Sequence, residues 1–131
     1  MAQNEWHTLA LKQRIQAAIR AIRSQILWKP GKDIQHVRTR IHYGHLPPSA
    51  TVAMYEAMIV TLLNDNQADV YSYTWEQEIY PTIVSTYENQ RWLVMVGIDG
   101  VMETAFPPTE PDEYLADSRF QLLGKLQEIM K

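Results

Sequence analysis

The 131-residue sequence contains no cysteine. That excludes disulfides, thiolate metal sites and cysteine nucleophiles, and it fits a reducing, cytoplasmic setting. No apolar run approaches the roughly 20 residues that a membrane-spanning helix needs. The opening Met-Ala-Gln-Asn-Glu-Trp-His lacks the basic-then-apolar order of a signal peptide. Glycine is scarce, at five residues, and none of it forms a phosphate-cradling loop. No Ser/His/Asp order for acyl transfer is recognisable.

Basic residues are scarce in one part of the chain only. Residues 46–131 hold four (Arg91, Arg119, Lys125, Lys131) against thirteen acids. Residues 1–45 hold eight (Lys12, Arg14, Arg20, Arg23, Lys29, Lys32, Arg38, Arg40) against Glu5 and Asp33, and also all four histidines. The net charge of −3 hides this division. It points to an anionic partner, to nucleic acid, or to an internal basic-on-acidic contact. Hydrophobic residues make up 46% and charged residues 21%, as in a folded globular domain, and this length suits one domain over 1–131.

Apolar residues at Leu11, Ile15, Ala18, Ile19, Ile22 and Ile26 recur at steps of three and four, which predicts a helix from about Glu5 to Leu27, ended by Pro30-Gly31. Asp33 can cap a short second helix in which Ile34, Val37 and Ile41 fall on one side, and Gly44 fits the left-handed position past its end. Ser49 or Thr51 can cap a third helix, to about Leu63. The period then becomes two. Strands are expected at about 69–75, 80–88, 91–98 and 101–106, with a two-residue turn at Asp99-Gly100. A last helix, about 112–130, would be capped by Asp112 and bury Leu115, Phe120, Leu122, Leu123, Leu126 and Ile129. The expected class is α+β: N-terminal helices, a four-stranded antiparallel meander, and a C-terminal helix packed on the sheet.

His36 and Arg40, four apart, share one side of the second helix. Histidine moves protons near neutral pH and arginine offers fixed donors to phosphate, a pair suited to cleaving RNA. A solvated basic helix with a partly buried histidine would carry the same pattern. Arg38 and His42 lie close by as substrate contacts. In the sheet, Thr104 could donate a hydroxyl to phosphate, or serve as an ordinary β-branched strand residue. Tyrosines such as Tyr80 can stack bases, although sheet aromatics more often pair across strands. His36, His42 and His45 lack ligand-pair spacing and have no acid among them, so neither a metal site nor a cofactor is expected.

Two stretches, His36-Val-Arg-Thr-Arg40-Ile-His-Tyr-Gly44 and Trp92 to Pro107, taken in this order, resemble the barnase/EndoU/colicin/RelE-like group of small ribonucleases and toxins. The resemblance spans about residues 33–108. It implies a concave sheet face on which RNA is cut without metal, with His36 as general acid/base, Arg40 as phosphate clamp and Thr104 as positioning donor. The partner would be RNA. The alternative is a noncatalytic interaction protein (antitoxin, immunity protein or complex subunit) whose acidic part docks on a basic protein. Convergence of His36, Arg40 and Thr104 on an open cleft would separate the two.

Overall fold

A computed structural model describes residues 9–131. The first helix, α1, runs Leu9–Ser24 and buries Leu11, Ile15, Ala18, Ile19 and Ile22. Its expected start at Glu5 lies outside the described residues. Arg14 and Arg20 are exposed, whereas Arg23 Nε donates to the Leu63 carbonyl at 2.9 Å.

The second helix, α2, is Lys32–His42. Asp33 does not cap it. Gly31, at φ 78°, precedes the first turn, and the Asp33 carboxylate accepts from the Ile34 N–H instead. Ile34 is exposed, while Val37 enters the core. The far end closes as a Schellman turn. The N–H of His45 reaches the Arg40 carbonyl at 2.8 Å and that of Gly44 reaches Ile41 at 3.0 Å, with Gly44 at φ 75°. The third helix, α3, is Val52–Leu63, and the Thr51 hydroxyl caps it by accepting from the Met54 N–H.

Strands β1 (Asp69–Trp75), β2 (Glu78–Tyr87), β3 (Gln90–Val96) and β4 (Met102–Phe106) form the antiparallel meander. The turn at Glu88-Asn89 lies between β2 and β3 where strands at about 80–88 and 91–98 require one; the turn at Asp99-Gly100 differs from expectation. Glu76-Gln77 and Glu88-Asn89 close the first two hairpins with positive φ at both positions, the mark of a type I′ turn. Asp99-Gly100 does not make such a turn, because only Gly100 has positive φ there. The Gly97 N–H bonds the Val101 carbonyl and the Gly100 N–H bonds Gly97, which gives a three-residue loop with glycine in the left-handed position. A register shift between Met95 and Val96 accompanies it and leaves Glu103 as the bulged residue of β4. Pro81 is tolerated in β2 because pairing with β3 begins only at Thr82.

The single C-terminal helix expected over 112–130 is not formed. A short helix α4 (Pro111–Leu115) starts with proline at its first position and has no Asp112 cap. Phe120–Lys125 is then a fifth strand, β5, which pairs antiparallel with β1, so the sheet order is β4-β3-β2-β1-β5. Gly124, at φ 149°, lies one residue before its end, and the final turn, α5 (Leu126–Ile129), follows Lys125 directly. The Gln16 amide ties α5 back to α1 through the Ile129 carbonyl at 2.8 Å. The fold is therefore α+β, with three N-terminal helices, a five-stranded antiparallel sheet and a short C-terminal helix packed on it.

Helices pack on both sheet faces, on the second only in part. Val70, Ile83, Trp92, Val94, Val96 and Ala105 pack with α1 and α3 in the main core. On the other face Val84, Leu93 and Phe106, aligned across three strands, pack with Leu115 of α4 and with Phe120. Ile19 is wholly buried in the main core. Ile19→Ala should cost about 2–5 kcal/mol in a denaturant titration, as large-to-small core changes do. A loss under half of that would show that the α1 face is not packed as described.

Candidate functional site

The spacing of α2 places His36 and Arg40 on one side, next to the β4 edge. The His36 ring tilts against Trp28, with centroids 5.5 Å apart, and Trp28 stacks in turn on Tyr55 at 5.8 Å. Burial holds the His36 pKa below its ordinary 6.5, helped by Arg40 and Lys32; the Glu103 carboxylate and a hydrogen bond to the Glu103 backbone oppose this. His36 is thus biased toward the neutral imidazole.

Arg40 is only 9% exposed. Its guanidinium lies 5.6 Å from the Phe106 ring and 5.9 Å from Tyr43. Among the described residues no carboxylate pairs with it and its Nε finds no partner; its guanidinium bonds His45 Nδ1 at 3.0 Å. Burial lowers its pKa while the Tyr55 and Tyr43 phenols oppose the shift. Arginine stays charged even so. The last turn of α2 helps to hold the cation, because the helix dipole is negative there.

His45 escaped the choice of site residues although Gly44 marks it. The Schellman turn folds the chain back, so the residue after the glycine meets the side chain five positions earlier. The His45 pKa is lowered, first by burial and then by Arg40, which suits a neutral ring accepting from the guanidinium. Arg38 and His42 point to solvent.

Thr104 is placed differently. It pairs with Met95, while Val94 and Ala105 of the neighbouring pair face the helix-side core. Alternation therefore turns Thr104 to the opposite sheet face. Among the described residues no hydrogen bond joins it to His36 or Arg40. Tyr80 is on that opposite face too, across from Tyr73, in a cleft with Trp75, Met95, Glu103 and Arg119. So α2 brings His36, Arg40 and His45 into one cluster, and neither Thr104 nor Tyr80 bonds to it. Among the described residues no group of histidine and acid side chains is arranged to hold a metal ion, and no helix is long and apolar enough to cross a membrane.

The charge division survives folding. Of the four ion pairs among the described residues only Lys29–Glu103, at 3.8 Å, joins the first 45 residues to the rest. The order of helices and antiparallel sheet is compatible with a RelE-like fold. No family model matches the chain, and neither a curated protein nor a solved structure does.

The two half-buried histidines set a pH dependence. Both have folded pKa values below the ordinary 6.5, so the unfolded chain binds more protons as pH falls through that region. Their contribution is fully present above about pH 6.5 and is lost progressively below it. The urea midpoint should drop between about pH 7.5 and 5.5, above the range where ordinary carboxylates titrate. A His36→Gln/His45→Gln double variant should show a shallower drop; an equal slope in both proteins would contradict the burial of the two rings.

Proposed function

We propose that this protein is a noncatalytic interaction protein that docks a basic partner on its acidic sheet side. The observation that carries the reading is the partly covered sheet face. A RelE-like ribonuclease would bind RNA on an open sheet face; here the face away from α1 and α3 is covered in part, where Leu115 and Tyr114 of α4 pack onto Leu93, Phe106 and Phe120. The arrangement of the helix cluster supports the same reading, since His36 and Arg40 make no bond to Thr104. The thirteen acids of residues 46–131 are left largely unpaired by the basic segment, which suits docking on positive charge.

One observation favours the ribonuclease reading: His36 is held toward its neutral form beside a buried arginine. In that reading His36 is the acid/base and Arg40 the phosphate clamp, with Thr104 as positioning donor and Arg38, His42 and Tyr80 as substrate contacts. A single pair of assays decides. Purified protein should leave RNA intact in the presence of EDTA, and an arginine-rich peptide should bind with an affinity that falls as salt rises. RNA cleavage that His36→Ala lowers by about 10²–10⁴-fold would establish the enzyme instead. Absence of peptide binding at low salt would overturn the docking reading.

A further inference from the structure

We infer that the aromatic cleft at the β1–β2 end of the outer sheet face is a recognition pocket for a guanidinium group, namely an arginine side chain of the docked partner. The inference rests on the docking reading and names its point of contact. The cleft, of about 320 Å³, is lined by Tyr73, Trp75, Tyr80, Met95, Glu103 and Arg119. Trp75 is 46% exposed at the strand end.

The cleft already holds a guanidinium from its own chain. The Arg119 carbon lies 5.6 Å from the Tyr73 centroid and 5.3 Å from that of Trp75. At such distances the negative faces of the rings attract a cation. Asp117 grips Arg119 through two bonds, Nε to Oδ1 at 2.9 Å and the terminal nitrogen to Oδ2 at 2.6 Å. The pair is internally neutral, so Arg119 adds little repulsion toward a second cation. The opposite rim carries Glu103. Tyr80 and Glu103 also line an adjoining cleft with Glu78 and Asp99, where Lys29 is the only base. Lys29 stands 3.8 Å from Glu103 and is largely exposed, which leaves the carboxylates accessible.

These carboxylates and rings select the occupant. Phosphate would meet the Glu103 carboxylate at the cleft and those of Glu78 and Asp99 in the adjoining one, and the cation of the cleft, Arg119, is already paired with Asp117, so a nucleic-acid strand is disfavoured. A planar guanidinium can stack on the rings and bridge a carboxylate, which an ammonium does less well. The incoming arginine competes for the ring faces of Tyr73 and Trp75 that the Arg119 guanidinium occupies.

Calorimetric titration with an arginine-rich peptide, its lysine counterpart and a short oligonucleotide tests this. The arginine peptide should bind more tightly than the lysine peptide, and Trp75→Ala should weaken it roughly two- to fivefold, the worth of an exposed cation–π contact. Arg119→Gln should tighten binding, because it empties the ring face, whereas Lys131→Gln, which removes the same charge elsewhere, should tighten it less. Near-ultraviolet circular dichroism checks that each variant keeps its fold, and Glu103→Gln should weaken binding if Trp75→Ala does not fold. If the peptide binds but Trp75→Ala, Glu103→Gln and Arg119→Gln leave its affinity unchanged, docking occurs elsewhere and the pocket is refuted while the interaction reading stands. If the oligonucleotide binds in a Trp75-dependent way, the cleft stacks bases and the inference is overturned. If the peptide does not bind at all, both fail.

Discussion

The Tyr55 hydroxyl donates to the Ala105 carbonyl, and around this buried contact the helices are fixed to the β4 edge. Tyr55 is fully buried, and burial pushes its pKa up to about 12, so at neutral pH it can only be the donor. Ala105 belongs to the edge strand, where an unpaired carbonyl would otherwise have to find water that the core excludes. The same ring stacks on Trp28, whose indole N–H reaches the Glu56 carboxylate at 2.7 Å. Trp28 supports His36, and the preceding Leu27 carbonyl accepts from the Met102 N–H at 2.8 Å. Thus α3, the α1–α2 connection and β4 meet at one aromatic stack. The position of α2, and with it of His36 and Arg40, follows from that junction.

The two sheet edges are managed by different means. The β4 edge is engaged by the Leu27–Trp28 segment and carries the Glu103 bulge. The β5 edge is short, shifts register at Val70/Tyr71, and ends in Gly124 and Lys125, the latter paired with Asp69 at 2.8 Å. Bulges, short strands and edge charges all discourage pairing with another chain.

Much of this architecture is legible in local signals. Alternation from Val70 to Trp75 marks β1, the Thr51 hydroxyl marks the start of α3, and Gly44 marks the turn after α2. What fails locally is decided by pairing. Phe120, Leu122, Leu123, Leu126 and Ile129 fit a helical stripe, yet β1 would have an open edge without β5, and Tyr71 and Tyr73 find their partners in Leu122 and Phe120. Gly124 inside the supposed helix was the available warning, since glycine weakens a helix interior. Likewise, Asp99-Gly100 has the composition of a two-residue turn, but the bulge at Glu103 changes the count of residues facing β3. Glu76-Gln77 adopts positive φ without favourable composition because the flanking ladders require it, whereas Asn89 is a residue that tolerates the left-handed region. For the site, helical spacing reveals the His36/Arg40 pair, whereas the position of Thr104 depends on strand register.

The charge division can be read physically once the contacts are known. Had the basic segment served to neutralise the acidic one, the interface between α1–α2 and the sheet would contain carboxylate–guanidinium pairs. Instead that interface is made by Ile15, Ile19, Ile22 and Val37, with Arg40 against aromatic rings and a histidine. Burying ion pairs there would have incurred a desolvation cost that apolar packing avoids. The charges therefore remain at the surface in separate regions: bases on the outer side of α1 and α2, acids at the hairpin ends and around α4. Such a surface orients an approaching charged partner before contact, and its pull falls off over roughly 10 Å at moderate salt. Orientation alone does not give specificity. That requires a short-range feature with defined geometry, and in the proposed docking it is the place on the outer face where aromatic rings and carboxylates meet at Tyr80 and Glu103.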